Sequence, residues 1–206
     1  MPRLARLDAP GVLHHVMGRG IERKKIFYSD IDRKDFIDRL ASLAIEGAME
    51  VYAWVLMPNH FHLLLRSGDA SISTVMRRLL TGYAIYFNRK HDRTGHLFQN
   101  RYKSILCQED AYLLELVRYI HLNPLRAGIV PDLESLDRYM YCGHATITGN
   151  NKNDWQTTDY ILAHFSERLS LARQKYRAYV EKGISSGKRP DHIGGGLVRS
   201  VGGWEA

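Results

Sequence analysis

Cysteine is scarce: Cys107 and Cys142 are the only two in 206 residues, too few for a disulfide framework. Long apolar runs are missing as well. No segment approaches the roughly 18 consecutive apolar residues of a membrane-spanning helix, and Met1 to Pro10 lacks the apolar region of a secretory leader. These absences exclude a disulfide-stapled scaffold and a helical membrane protein. They lead us to expect a soluble protein of a reducing, cytoplasmic compartment. No internal repeat is visible, and 206 residues are enough to bury a real core and make one domain, or one domain plus an appendage.

Acidic residues are the remaining shortage, and the formal charge is +7. Residues 1–130 hold 19 Lys and Arg against 13 Asp and Glu, and the rest hold 10 against 9. The imbalance peaks over residues 70–103, where Arg77, Arg78, Arg89, Lys90, Arg93, Arg101 and Lys103 face Asp92 alone. A local cationic surface suits a polyanion, because each phosphate neutralised releases condensed counterions. Solvated helix faces would give the same composition. Tyr83, Tyr86, Phe87, Phe98 and Tyr102 interleave with these cations, although the helical spacing of Tyr83 and Phe87 suits a core better.

Branched apolar residues at 12–17, ending at Gly18 and Gly20, predict a strand and a turn. Asp30 is the expected N-cap of a helix carrying Phe36, Ile37, Leu40 and Leu43 and ending at Gly47. Alternation over 50–57, a break at Pro58-Asn59 and a resumption at 61–65 predict a β-hairpin. From Ser71, Ile72, Val75, Met76, Leu79, Leu80, Tyr83 and Phe87 follow helical spacing. A strand over 101–107 and a helix from Asp110 with Leu113, Val117 and Ile120 inward complete a β-α-β-β-α-β-α order, closed near Pro124. That order predicts an α+β, ferredoxin-like two-layer sandwich with a mainly antiparallel sheet and helices on one face. Residues 158–182 are expected to add a helical extension. The expected organisation is therefore a catalytic domain at 1–130, a loop and helical extension at 131–183, and a Gly-rich flexible tail at 184–206.

His60 and His62 are two apart on a strand, so both imidazoles leave the same face and one metal ion could touch both. Tyr119 and Asn123 are four apart on the last helix, displaced from its core stripe, so a phenol and an amide oxygen share one face. Each of these also has a bland role: a structural histidine, a boundary aromatic, a helix C-cap before Pro124.

Three segments in this order, Met57-Pro-Asn-His-Phe-His-Leu-Leu-Leu65, Phe98-Gln-Asn-Arg-Tyr-Lys-Ser104 and Arg118-Tyr-Ile-His-Leu-Asn-Pro-Leu-Arg-Ala-Gly128, resemble the HUH single-tyrosine transposases, specifically the REP-associated tyrosine transposases. The resemblance covers about residues 8–130 and, more weakly, 155–182. It implies that His60 and His62 bind a divalent metal, Mg²⁺ or Mn²⁺, that Tyr119 is the catalytic nucleophile, and that Asn123, where several relatives carry Gln, completes the metal site. It also implies single-stranded or hairpin DNA of the repetitive extragenic palindrome type as partner, cut and rejoined through a 5′-phosphotyrosine. A cytoplasmic, nucleoid-associated location follows. The candidate DNA contacts are Arg19, Arg77, Arg78, Arg101 and Lys103. The alternative is a binder of specific nucleic-acid sequences that keeps the motifs without catalysis. A hydrolytic metallonuclease ranks last, because no carboxylate lies within residues 51–68.

Overall fold

Pro58 and Asn59 alone connect β2 (Met49–Met57) to β3 (His60–Ser67), with Met57 paired opposite His60. So short a turn fixes the register, and a slip of one residue would exchange every side chain between the two faces. The computed structural model describes residues 11–107, 109–185 and 198–199, so most of the expected tail at 184–206 lies outside the described residues. β1 (Leu13–Arg19) pairs antiparallel with β3 on one side and with β4 (Lys103–Leu106) on the other. The backbone of β5 (Val198–Arg199) adds beside β4, for an order β2-β3-β1-β4-β5. The first four strands have the α+β, ferredoxin-like arrangement expected from the sequence.

Helix α1 (Asp30–Ile45) begins one residue earlier than expected, because the cap is Ser29 and not Asp30. Ser29 Oγ accepts from the Asp32 N–H, and the Asp32 carboxylate accepts in return from the Ser29 N–H. This reciprocal box satisfies two of the donors that a helix start leaves bare. Helix α2 (Ile72–Lys90) starts where the sequence indicated, with Ser71 as its cap. Phe36, Leu40, Val75, Met76, Leu79, Tyr83 and Phe87 pack with Trp54, Leu56, Phe61 and Leu63 of the sheet in one cluster. Phe61 also packs against Gly18 of the neighbouring strand, where an added Cβ would stand 2.4 Å from its ring.

The expectation of helices on one face accounts for α1 and α2, but the opposite face is covered too. α3 (Glu109–His121) packs Leu113, Leu116, Val117 and Ile120 on Ala53, Val55, Met57 and Leu64. A strand buried on both faces reads as a continuous apolar run, and β2 is buried at eight of its nine positions. Short helices α4 (Asn123–Arg126), α5 (Leu133–Asp137), α6 (His144–Thr148) and α7 (Asp159–Ala163) and the longer α8 (Leu169–Lys182) join the same core through Leu136, Ile147, Ile161 and Tyr176. The single helix expected over 158–182 is split. Ser166 Oγ accepts from the Arg168 N–H, and Phe165 turns inward against Tyr176. Residues 141–157 also close the outer edge of β2, through Leu56 N–H to Tyr141 O and Thr157 N–H to Val51 O, each at 2.9 Å.

Candidate functional site

Strand register builds the site. Arg19 pairs with His60 and Met17 with His62, while Lys103 lies opposite Met17 on β4. By alternation His15, Arg19, His60, His62 and Lys103 therefore share the face that α3 covers. The His60 and His62 rings lie 5.2 Å apart at 78°, and the edge of Tyr119 meets His62 at 6.0 Å between centroids. α3 thus brings the phenol to the histidine pair, a meeting that the helical and strand periodicities left to the packing of α3 on the sheet.

Each histidine is held through one nitrogen. His60 Nδ1 lies 2.7 Å from Asn59 Oδ1, and His62 Nδ1 lies 3.0 Å from His15 Nε2. Asn59 offers an acceptor, so His60 carries its proton on Nδ1 and presents a lone pair at Nε2. If His62 likewise donates to His15, it also presents Nε2. Burial, with Arg19 adding repulsion, lowers His60 to about 4. Burial drives His62 well down, with His15, His60 and Arg19 contributing. Both rings are therefore neutral at pH 7, the form a metal requires.

Asn123 is oriented by a defect that proline creates. Pro124 has no N–H for the Ile120 carbonyl, and Asn123 Nδ2 donates there at 3.2 Å and to the Tyr119 carbonyl at 2.9 Å. The C-cap role is real, and it commits the amide nitrogen to the helix, so Oδ1 is the atom left to act as a ligand. Among the described residues no group of three His, Cys, Asp or Glu is placed to hold a metal ion. Two imidazoles and an amide oxygen would be the candidate donor set, a mixture that a borderline or hard divalent ion accepts.

Sequence reasoning passed over His15 and Arg126. His15 stacks on His62 at 5.2 Å and meets the Tyr119 ring edge at 6.2 Å. It is buried, lowered to about 4 by desolvation and then by Lys103. The signal was present in the second histidine of the first strand, but its relevance depends on that strand pairing with β3. The Arg126 guanidinium stands 5.8 Å from the Tyr119 ring. Burial raises the Tyr119 phenol, opposed by Arg126 and Arg19.

The cations predicted to contact DNA separate. Arg19 and Lys103 join the site face, and Arg101 is exposed just before β4. Arg77 and Arg78 are exposed on α2, across the sheet from the histidines, and Arg78 pairs with Glu46 at 2.7 Å. Sequence proximity had grouped side chains that the sheet keeps apart.

The fold is similar to that of a REP-associated tyrosine transposase bound to a REP hairpin, with a TM-score of 0.57 and 16% identity over 74% of this chain and 89% of that one. A Deinococcus radiodurans protein assigned as a transposase aligns at 18% identity over 58% of this chain and 95% of that one, with a TM-score of 0.40, too low to bear on the fold. Comparison with curated proteins gave no match. No helix among the described residues is long and apolar enough to cross a membrane. The model of the IS200-like transposase family matches residues 10–123, more than half of the chain and a span that includes His15, His60, His62, Tyr119 and Asn123, and the chain belongs to that family.

Proposed function

We propose that the protein is a transposase of the REP-associated type, a single-strand DNA transesterase that cuts and rejoins DNA beside hairpin elements. Tyr119 Oη attacks the scissile phosphorus, forming a 5′-phosphotyrosine, while the bond to the 3′ oxygen breaks. The phenol loses a proton and the departing 3′ oxygen gains one, so the step consumes no water and no oxidant. The new phosphodiester keeps the energy of the old one, and a 3′-OH can reverse the attack.

His60 and His62, through Nε2, and Asn123, through Oδ1, would hold a divalent ion such as Mg²⁺ or Mn²⁺. Bound there, the ion would supply Lewis-acid polarisation of the phosphate. A phenol raised by burial is a poor nucleophile at pH 7, and Arg126 and Arg19 favour its ionised form. His15 holds the His62 ring in place. Arg19, Arg101 and Lys103 supply positive charge around the entering strand, and we place the protein in the cytoplasm at the nucleoid. The division into a catalytic region at 1–130, an extension at 131–183 and a tail is part of this proposal.

The observation that carries the reading is the meeting of Tyr119 with His62 at 6.0 Å. The test is a denaturing gel of protein incubated with single-stranded hairpin DNA and Mg²⁺ or Mn²⁺. A covalent, metal-dependent adduct is expected. Retained hairpin binding without any adduct would instead identify a non-catalytic binder.

A further inference from the structure

A second group of buried polar side chains lies behind the site and takes no part in the chemistry above. His121 ends α3, His144 opens α6 and Tyr176 lies within α8, all fully buried. The Tyr176 hydroxyl is shared, 2.6 Å from His121 Nδ1 and 3.1 Å from His144 Nδ1. His144 Nε2 lies 2.8 Å from Asp137 Oδ1, and Arg177 Nε donates to Asp137 Oδ2 at 2.7 Å. With one proton on each ring, a single order closes the chain. His144 donates from Nε2 to Asp137, Tyr176 donates to His144 Nδ1, and His121 donates from Nδ1 to Tyr176. His121 Nε2, the one ring nitrogen of the three residues with no partner, then carries only a lone pair and no orphaned N–H.

This network grips a weak point. The end of α3 lacks the ladder donor that Pro124 cannot provide, and the helix is interrupted at Leu122 before α4. His121 lies two residues after Tyr119 and two before Asn123, so whatever fixes its ring fixes the turn carrying both. α8 reaches this turn again at its far end. Arg126, beside the Tyr119 ring, donates from Nη2 to the Gly183 carbonyl at 3.3 Å, and a Cβ on Gly183 would stand 2.6 Å from Arg118 Cδ and 3.0 Å from Leu122 Cδ1.

We propose that Tyr176 is a positioning residue for strand transfer: through His121 it locks the last turn of α3, and so sets Tyr119 and Asn123 against His60 and His62. The proposal rests on Tyr119 being the nucleophile. It makes the helical extension a part of the catalytic apparatus, although no residue of α8 reaches the DNA in this scheme. Misplacing a reacting group by about 1 Å costs on the order of a hundredfold in rate, while leaving substrate binding intact.

The experiment measures single-turnover adduct formation on hairpin DNA with Mn²⁺, together with DNA affinity and thermal melting. The adduct of the wild-type protein is first mapped to its tyrosine. Tyr176→Phe is expected to slow adduct formation by roughly tenfold to a hundredfold, with affinity within about twofold of wild type. Phe165→Leu, which alters packing on the Tyr176 ring without touching a hydrogen bond, serves as the control for lost stability. At matched melting temperature it should keep the wild-type rate. Gly183→Ala, pressing on Arg118 and Leu122 from the C-terminal end of the helix that carries Tyr176, is expected to slow the same step and keeps the proposal testable if Tyr176→Phe does not fold. A wild-type rate in the folded variants, or an equal loss in Phe165→Leu, overturns the positioning role. Absence of a Tyr119 adduct in the wild-type protein overturns the nucleophile assignment instead, and this proposal with it.

Discussion

The two faces of the sheet use the same strands differently. On the α1 and α2 side, Phe61 and Leu63 of β3 enter an apolar cluster with Trp54, Phe36 and Phe87, and the buried acid Asp32 is closed off by Lys90, His91 and the backbone N–H groups of Tyr28 and Ser29. On the α3 side, the alternate residues of the same strand are His60 and His62, each held through Nδ1 only, with Tyr119 set against them. In the first case the buried carboxylate is consumed by the fold. In the second the fold orients the two rings through Nδ1 and leaves Nε2 of each over. Period-two alternation lets one strand serve both purposes, because burying Phe61 and Leu63 contributes roughly 2 kcal/mol or more each whatever the intervening residues are.

If that contrast is correct, substitutions on the two faces should separate activity from stability. The largest effect is expected from Tyr119→Phe, which removes one oxygen. Adduct and cleavage should fall to background, a loss of roughly a thousandfold or more, while hairpin and metal affinity remain. Peptide mapping that placed the nucleotide on another of the tyrosines, Tyr112 being the nearest along the helix, would break the assignment. His60→Ala and His62→Ala come next. Each should abolish divalent-dependent cleavage, by several kcal/mol of transition-state stabilisation, with a cooperative melt retained. Cleavage unchanged in the double variant would remove the metal from the scheme.

The opposite face should show the reverse. Burial works to raise the Asp32 carboxyl, but hydrogen bonds from Lys90 and His91 and from two backbone N–H groups outweigh it and hold the group at about 2, against an ordinary 3.8. A depressed acid stabilises the fold above its unfolded pKa, and that contribution is lost as pH falls through about 2. Asp32→Asn is therefore expected to cost about 2 kcal/mol at pH 7, with the gap from wild type closing between pH 4 and 2. Denaturant melts across that range test this, and adduct formation per folded molecule should stay unchanged. Loss of activity without loss of stability in Asp32→Asn would blur the two faces.

The smallest effect concerns charge. Arg19→Ala and Lys103→Ala, on the site face, should each flatten the salt dependence of DNA binding, the slope of log affinity against log salt falling by about 0.7 for every phosphate left unneutralised. Arg77→Ala and Arg78→Ala, across the sheet, should change it less. Equal slopes in all four would make the separation of the cations irrelevant to binding.

Much of the arrangement was legible because it depends on neighbours in the chain. Alternation over 50–65 determined that His60 and His62 share a face, and a four-residue interval put Tyr119 and Asn123 together on a helix. The core positions of Tyr83 and Phe87 followed from the same helical count. His15 was not legible, since its place beside His62 depends on β1 and β3 pairing across some 47 residues. Arg77 and Lys103 looked alike as members of one charged stretch, but the chain crosses the sheet between them. The cap at Ser29 was missed by one position because Asp30 and Ser29 are both good caps, and only the Asp32 side chain, already engaged with Ser29 and Lys90, decides between them.

By itself, then, the sequence determined the order of the first four strands and three helices, the sharing of a face by the two histidines, and the pairing of a tyrosine with an amide one helical turn away. These are consequences of periods of 2 and 3.6 residues, and they need no knowledge of distant contacts. Tertiary structure alone decided that α3 and the extension close over the second face, that His15 and Arg126 join the candidate site, and that Tyr176 reaches back to the end of α3. The physical reason is that burial is a non-local quantity: which ring loses its water, and which hydrogen-bond partner it then requires, is settled only when segments far apart in the chain exclude solvent together.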